Sequence, residues 1–387
     1  MSYKNPLTYI LLLLFTILLV LNLEVDSSQH FVFLARSFIS GNLSTTSVPK
    51  NVSDFAYFNG KYYWPLGPFP AIILIPFVAV FKNFYQGFIS FPLSIINFYF
   101  LTKIATVLGL DKKRSILLAT FFIFGSIYFP LASLPGSWYF AQTVVCSILI
   151  LVIYEFLTKK RYLLIGLLLA FAIATRLNLA ATAIFFLYFL AKKPFNLGNL
   201  LKFLTPIVVC LFLLGIYNQL RFQNPLEQGY RYQIVPQEAL QRRNTGLFSI
   251  KHLPANLYYM ILKGPEPIFK DNSHDLKFPY LTFDSYGLSI LFLSPILFLV
   301  FWADYKKELI KMSAITSLII LIPIITYYGI GQRQVGYRYA LDFFPFIFLL
   351  LAGPVKKLNL KYLYLLVFWG VFFSVYFSIL YLAKIMV

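Results

Sequence analysis

The sequence predicts an all-α, multi-pass membrane protein with about eleven transmembrane helices in a single domain covering residues 1–387. Of the 387 residues, 59% are hydrophobic and only 12% are charged, whereas a soluble domain carries about 25% charged residues. Apolar runs long enough to cross a bilayer recur along the chain. Short clusters of lysine and arginine separate these runs. The composition excludes a soluble enzyme, a nucleic-acid-binding module and a disordered chain.

The predicted crossings follow from the apolar runs in order. Residues 7–23 predict an anchor helix that is retained, because no cleavage motif of small residues precedes Glu24. Residues 71–81 are too short to span and predict an interfacial or re-entrant helix, whereas residues 88–108 are long enough to cross. The remaining crossings are predicted at 115–130, 138–157, 162–175, 177–191, 200–220, 286–303, 309–328, 339–353 and 361–383.

Basic clusters give the orientation. They lie beside apolar runs at 112–114, 159–161, 192–202, 306–311 and 356–361. By the positive-inside rule all five face the cytoplasm, so we expect the N-terminus inside and the C-terminus outside. The two long segments 24–69 and 221–285 are then external loops. The net charge of +19 therefore indicates topology, and membrane lipids rather than nucleic acid are the expected partners.

The predicted crossings contain few ionisable residues. Glu155 lies near the inner end of its run and Asp342 near the outer end of its own. Because ion-coupled transporters usually bury such groups near the midplane, this pattern counts against a transporter. Cys146 and Cys210 both lie in apolar runs, which argues against a disulfide scaffold or a cysteine-rich metal site. Polar residues collect near the external face, where we expect the functional site.

Three carboxylates near the external face are candidate catalytic residues. Glu24 and Asp26 directly follow the first helix, where they could activate a hydroxyl group or bind a cation. Alternatively they form a polar stop, with Asp26 capping a helix over 29–39. Asp54 opens an aromatic-rich segment whose Asn-Gly pair at 59–60 predicts a turn. Asp54 and Lys61 would then form one edge of the site.

Arginines near the external ends of crossings are candidate phosphate ligands. Arg176 lies between two crossings of only about 20 Å each, so we expect it below the outer surface. An arginine at that depth either forms a local ion pair or faces a wet cavity, where it can bind phosphate. Arg333 and Arg338 lie in the last external turn. Arg338 and Asp342 are four residues apart and predict an intrahelical pair, structural or phosphate-binding.

Four segments share a pattern that extends over nearly the whole chain. They are the acidic residues at 24–26, the segment DFAYFNGKYYWPLGPFP at 54–70, the segment YNQLRFQNPLEQGY at 217–230 and the segment GYRYALD at 336–342. Together these resemble the GT-C class of membrane glycosyltransferases, which includes protein O-mannosyltransferases and aminoarabinose transferases. One departure is that residues 131–138 contain no acidic residue, where many members of that class carry one.

The resemblance implies a sugar donor on a polyprenyl phosphate, used at the external face of the plasma (inner) membrane. The acceptor would be a glycan, a lipid or a protein. Asp26 would act as general base, assisted by Glu24 and Asp54, while the donor phosphate would be bound by Arg176, Arg338, Arg333 and Lys61. Supporting positions are Asp342, Tyr337, Tyr230 and Arg231. No metal or other cofactor is expected, because arginines can stabilise a monophosphate leaving group.

Three other functions remain open at this point. A lipid-linked glycan flippase or transporter would move lipid without acceptor-dependent chemistry. A non-catalytic assembly subunit would tolerate replacement of the external carboxylates. A polymerase or ligase that uses a diphosphate-linked oligosaccharide would share most of the same features.

Overall fold

The computed structural model describes residues 6–24, 28–45, 52–81, 83–134, 136–271 and 274–383. These residues are predominantly helical, which confirms the helical part of the predicted fold class. The α-helices of the described residues are α1 (Pro6–Asn22), α2 (His30–Ile39), α3 (Phe69–Val80), α4 (Ser90–Val107), α5 (Lys112–Phe124), α6 (Tyr128–Ser133), α7 (Ser137–Thr158), α8 (Tyr162–Thr175), α9 (Ala183–Leu190), α10 (Leu197–Phe222), α11 (Gln237–Asn244), α12 (Leu253–Leu257), α13 (Ile290–Leu293), α14 (Glu308–Thr326), α15 (Phe344–Lys357) and α16 (Leu360–Leu382).

Two short β-hairpins and several tighter helical turns complete the described fold. The hairpins pair β1 (Ala56–Phe58) with β2 (Lys61–Tyr63), and β3 (Glu266–Phe269) with β4 (Leu276–Thr282). The predicted turn at 59–60 is confirmed, because both residues have positive φ and join β1 to β2. The 3-10 segments are Gln86–Ile89, Leu177–Thr182, Tyr230–Tyr232, Ile250–His252, Pro295–Trp302 and Arg338–Asp342, and Tyr258–Leu262 is a π-helical turn.

Five helices of the described residues are long and apolar enough to cross a membrane. They are Gln86–Val107, Ser137–Thr158, Leu197–Phe222, Glu308–Thr326 and Leu360–Leu382. Other predicted crossings are shorter or interrupted. The run at 286–303, for example, divides into α13 and a 3-10 segment that starts at Pro295, since proline has no N–H to continue the α-helical pattern. Eleven crossings and their orientation therefore stay a prediction.

The core of the bundle lies around α7, most of which is buried. Some polar side chains inside this core form hydrogen bonds between helices. Asn97 of α4 donates to the Tyr128 hydroxyl at 2.8 Å and to the Ser147 hydroxyl at 2.9 Å. Small residues allow other helices to approach closely, as where α5 and α16 meet at Gly125 and Gly370. At Gly370 an added Cβ would lie closer than 3.0 Å to the Gly125 backbone.

Two pairs of segments that carry basic clusters contact each other although they are distant in sequence. Arg114 at the start of α5 donates to the carbonyl oxygens of Val355 (3.2 Å) and Leu358 (3.0 Å) at the end of α15. Lys192 after α9 forms an ion pair with Glu308 at the start of α14. The placement of all five clusters on the cytoplasmic side stays a prediction.

The two loops predicted to be external fold against each other. Asp54 N–H donates to the Ile234 carbonyl (2.7 Å), and Ile234 N–H donates to the Phe55 carbonyl (2.8 Å). Farther along, Ser249 N–H donates to the Thr326 carbonyl at the end of α14 (2.8 Å). Residues 235–248, including α11, thus extend between two backbone attachments. The predicted helix over 29–39 is present as α2, but it packs against α3 with a largely buried face.

Candidate active site

A cavity of about 880 Å³ lies between the first external segment, the second external loop and the ends of α8, α14 and the Arg338–Asp342 segment. The attached residues 235–248 form part of its wall through Val235, Glu238 and Arg242. Residues from both long loops and three helical segments therefore meet around one space.

Arg338 is a nearly buried cation on the cavity wall. Its side chain is 7% exposed, and the residue lines the cavity. Nη1 donates to the Gln332 carbonyl at 3.0 Å and Nη2 to the Tyr339 hydroxyl at 3.2 Å. Its Nε has no hydrogen-bond partner among the described residues, and no described carboxylate lies within 4.0 Å. Because an unpaired buried charge is costly, this geometry favours an anionic ligand.

The predicted pair between Arg338 and Asp342 is wrong. Asp342 is fully buried and pairs instead with Arg176, at 3.0 Å from Nη2 and 3.1 Å from Nε. Asn178 donates to the same Oδ2 atom at 2.8 Å. The reason is that residues 338–342 form a 3-10 segment before the start of α15, with Pro345 in its first turn. The side chains of Arg338 and Asp342 therefore do not take the α-helical i, i+4 arrangement.

Arg176 keeps the predicted position at a cavity wall but is already neutralised. It follows the last residue of α8, lines the cavity and has 14% of its side chain exposed. Besides its bond to Asp342, its guanidinium lies 5.8 Å from the centre of the Tyr339 ring. The same ring lies 4.9 Å from the Arg338 guanidinium. Tyr339 thus contacts both cations, and of the two only Arg176 has a carboxylate within 4.0 Å among the described residues.

Asp54 brings a carboxylate to the same cavity. Gln233 Nε2 donates to its Oδ1 and to its carbonyl oxygen, both at 3.1 Å. Burial raises the pKa of Asp54 to about 6, although the charges of Arg338 and Arg333 act in the opposite direction. A carboxylate with a pKa near neutrality can accept a proton during catalysis. The positive φ of Asp54 (69°) shows that the surrounding backbone contacts hold it in a restricted conformation.

The other predicted residues divide between the cavity and elsewhere. Arg333, Tyr230 and Arg231 line the cavity, and Arg231 forms a loose ion pair with Glu227 (3.7 Å). By contrast, Lys61 is exposed on the β1–β2 hairpin and does not line the cavity. Since it lies beside the turn, its side chain extends into solvent. Tyr337 is buried and donates to the Asn256 side chain at 3.2 Å, away from the cavity lining.

The acidic residues after the first helix are only partly described. Glu24 is exposed and is not part of the cavity lining. Asp26 lies outside the described residues, two positions before Ser28, which lines the cavity. The Ser28 carbonyl accepts hydrogen bonds from the Ser137 hydroxyl (2.6 Å) and from Gln86 (2.9 Å). The chain is therefore firmly held directly after the segment that contains Asp26.

His30 is a cavity residue that the sequence analysis did not select. Its ring stacks on Trp64 with centres 4.0 Å apart, and Nδ1 lies 2.9 Å from the Ser137 hydroxyl. Trp64 is held in turn by Arg221, whose Nη1 donates to the Trp64 carbonyl at 2.8 Å. In the sequence His30 lies at the start of an apolar helical segment, and nothing there indicates that its side chain faces a cavity. The stack connects the first loop to α10 and stabilises the cavity wall.

Arg242 and Asn178 were also not selected, although both line the cavity. The Arg242 Nε donates to the Tyr328 carbonyl at 2.6 Å, and one terminal nitrogen has no partner among the described residues. In the sequence Arg242 is one of eight basic residues in the second loop, and nothing there indicates which of them faces inward. Asn178 lies two residues after Arg176 in the same short turn. Its position near Arg176 and the cavity could therefore have been predicted.

Among the described residues, no group of three or more histidine, cysteine, aspartate or glutamate side chains is arranged to hold a metal ion. Asp26 lies outside these residues. The expectation that no metal is required therefore stays a prediction.

Comparisons with known proteins give one structural alignment. No protein-family model and no curated protein sequence matches the chain. A crystal structure of the oligosaccharyltransferase from Archaeoglobus fulgidus, tethered by a disulfide bond to an acceptor peptide with the NVT sequon, aligns with 96% of this chain at 12% identity and a TM-score of 0.43. The alignment covers 55% of that chain, so this protein spans about half its length.

Proposed function

We propose that the protein is a membrane glycosyltransferase that moves a sugar from a polyprenyl-phosphate donor to an acceptor at the external face. The observation that carries the proposal is the joint presence of Arg338 and Asp54 on one cavity wall. Arg338 is a buried cation without a carboxylate within 4.0 Å among described residues. Asp54 is a carboxylate with a pKa raised to about 6. Anion binding and proton acceptance are therefore available in the same space.

Transfer of the sugar requires both anion binding and proton acceptance. The acceptor oxygen forms a bond to the anomeric carbon while the bond from that carbon to the phosphate oxygen breaks. The electron pair of the broken bond leaves with the lipid phosphate, whose negative charge increases and is stabilised by Arg338. The proton of the acceptor group passes to a carboxylate, which must be ionised beforehand.

The described charges of the cavity favour an anionic donor. The described cavity lining contains five arginines and three carboxylates. Asp342, directly behind the wall, neutralises Arg176, which leaves an excess of one positive charge among these groups. This excess suits a phosphate-linked donor.

Two carboxylates compete for the role of general base. Asp54 is supported by its position in the cavity and by its raised pKa. Asp26 is supported by the sequence resemblance and by its place two residues before Ser28 in the cavity wall. We assign the proton transfer to Asp54, because its surroundings tune its pKa toward the pH at which a base works best. Asp26, with Glu24 nearby, then orients the acceptor.

Apolar residues on the same cavity suit the lipid part of the donor. Leu177, Pro323 and Ile324 line it beside the polar wall, and Leu177 is 40% exposed. Leu177 follows α8, whereas Pro323 and Ile324 lie near the end of α14, a helix able to cross a membrane. A lipid chain can therefore leave the cavity toward the hydrocarbon region while its phosphate stays at Arg338.

The test is acceptor-dependent transfer by the protein reconstituted in lipid vesicles. Polyprenyl-phosphate sugars with radiolabelled sugar are supplied, and the label is followed into glycan, lipid or peptide acceptors. We expect Arg338→Ala to raise the KM for donor strongly, whereas Arg161→Ala at the opposite end of the bundle has little effect. Arg338→Lys restores only part of the loss, because an ammonium group cannot reproduce the guanidinium fork.

Two outcomes would refute the proposal. Movement of labelled lipid across the bilayer without any acceptor-dependent product would identify a flippase. Unchanged donor KM in Arg338→Ala would remove the cavity arginine from the mechanism.

A further inference from the structure

The β3–β4 hairpin carries an apolar face that is largely uncovered among the described residues. Leu276, Phe278 and Tyr280 of β4 are 48%, 67% and 51% exposed. Phe278 and Tyr280 lie in the stretch where the register between the two strands shifts, on either side of the buried Pro279. Phe269 of β3, the register partner of Leu276, is 43% exposed. Four large and exposed apolar side chains on one short hairpin require an explanation.

The hairpin packs against α16 well before the end of that helix. Tyr376 donates a hydrogen bond from its hydroxyl to the Pro279 carbonyl, between Phe278 and Tyr280 in the chain. Phe283, just after β4, packs edge-to-face on Phe377 with ring centres 5.3 Å apart. The position of the hairpin along α16 is therefore fixed at residues 376–377.

The depth of that position follows from the length of α16. Lys361 at its start must remain outside the hydrocarbon region, and a core of about 30 Å then extends over about 20 helical residues, to near residue 381. Tyr376 lies five residues, or about 7 Å, inside that boundary. This holds for either orientation of the helix, because Lys356, Lys357 and Lys361 mark its other end in both cases.

We infer that the β3–β4 hairpin inserts its apolar face into the interfacial zone of the lipid bilayer beside α16. The neighbouring surface of α16 supports this occupant, because Phe368, Phe372 and Ile379 are also exposed and apolar. The open edges of a two-stranded hairpin need water for their backbone groups, which excludes the middle of the bilayer. Aromatic rings favour the interface between these two regions. Lys277, exposed and between Leu276 and Phe278 in sequence, can reach lipid phosphate groups.

The consequence concerns the second external loop as a whole. Its part from 235 to 248 forms part of the cavity wall, while the hairpin that begins at Glu266 rests on the membrane. The hairpin would therefore hold the loop at a fixed height above the lipid surface. This inference does not depend on the proposed enzymatic activity and can be tested without a substrate.

The experiment uses single cysteines labelled with the fluorophore NBD, in full-length protein in which Cys146 and Cys210 are replaced by alanine. Labels are placed by Phe278→Cys, Tyr280→Cys and Lys277→Cys on the hairpin, with Gln241→Cys on α11 as an exposed polar control in the same loop. The proteins are assembled into nanodiscs containing lipids with a nitroxide at carbon 5 or carbon 12 of the acyl chain.

We expect labels at 278 and 280 to be quenched several-fold by the carbon-5 nitroxide and less by the carbon-12 nitroxide. The labels at 277 and 241 should instead be quenched by aqueous iodide. Nitroxide quenching at 278 and 280 but not at 277 identifies the inserted side chains, and either Phe278→Cys or Tyr280→Cys suffices if the other fails to assemble. Equal iodide quenching at 278, 280 and 241 without nitroxide quenching would overturn the inference.

Discussion

Asp54 provides the sharpest test of the proposed chemistry, through the pH dependence of transfer. The ordinary carboxyl pKa of 3.8 is raised to about 6 by burial, against the opposing charges of Arg338 and Arg333. Tyr328 and Gln233 also face this carboxyl group, but neither carries a charge near neutral pH. Because the base must be ionised, the rate should increase with pH and reach half its plateau near pH 6.

The expected magnitude follows from the ionised fraction. With a pKa of about 6 only about 10% of Asp54 is ionised at pH 5, so kcat/KM should be about tenfold below its plateau. An aspartate at its ordinary pKa would be more than about 90% ionised at pH 5 and would give an almost flat profile. Asp54→Asn should lower the plateau by about 10² to 10⁴. Arg333→Ala removes a charge that lowers the pKa, and its profile should move to higher pH.

The thermal stability of Asp54→Asn is the control for its loss of activity. A carboxyl pKa that is higher in the folded than in the unfolded protein contributes stability below the unfolded pKa, and this contribution is lost as the pH increases through about 6. At pH 7 Asp54→Asn should therefore melt no lower than the natural protein. Asp304→Asn, at an exposed position, serves as the matched substitution. A flat natural profile between pH 5 and 8, or the same acid limb in Asp54→Asn, would refute the assignment and leave Asp26 as the base.

Three further predictions concern assembly and topology. Asp342→Asn leaves Arg176 buried without its carboxylate and should cost about 3–5 kcal/mol, measured by thermal unfolding in detergent; an unchanged melting temperature would contradict the pairing. Gly67→Ala adds a Cβ closer than 3.0 Å to the backbone at the end of α8, so folded yield should fall, whereas Gly264→Ala meets nothing within 4 Å and should be tolerated. A Lys159→Cys probe in sealed vesicles should resist an impermeant reagent applied outside, and labelling would reverse the predicted topology.

The helical class and the general location of the site followed from the sequence because they depend on local composition. Apolar runs predicted helices, and the polar residues left over marked the end of the bundle that contains the cavity. Asp54 was selected because it opens the segment with the Asn-Gly turn, Arg176 because it lies between two short crossings, and Arg338 because it lies in the last external turn. The turn at Asn59 and Gly60 was likewise predicted from the local backbone preference of an Asn-Gly pair. The resemblance to GT-C glycosyltransferases and the number of crossings remain predictions.

Side-chain partners could not be predicted, because they depend on tertiary contacts between distant segments. The Arg338–Asp342 pair assumed a regular α-helix, but a 3-10 segment before Pro345 changed which side chains meet. Asp342 instead contacts Arg176, 166 positions earlier. The predicted placement of Lys61 at the site edge did not hold for a related reason. Its position beside a tight turn directs its side chain to solvent, away from the cavity. The inward direction of Arg242 depends on two backbone attachments that join residues far apart in sequence.

The different surroundings of the two arginines assign them unequal roles. Asp342 Oδ2 accepts from Arg176 and Asn178, so most of the charge of Arg176 is compensated before any ligand arrives. Arg338 has only neutral partners, the Gln332 carbonyl and the Tyr339 hydroxyl. A phosphate therefore gains more from Arg338, because the charge of that residue is not compensated at short range by a described carboxylate. In the proposed reaction Arg176, held by Asp342, therefore contributes to the cavity wall rather than to phosphate binding, although the ring of Tyr339 contacts both guanidinium groups.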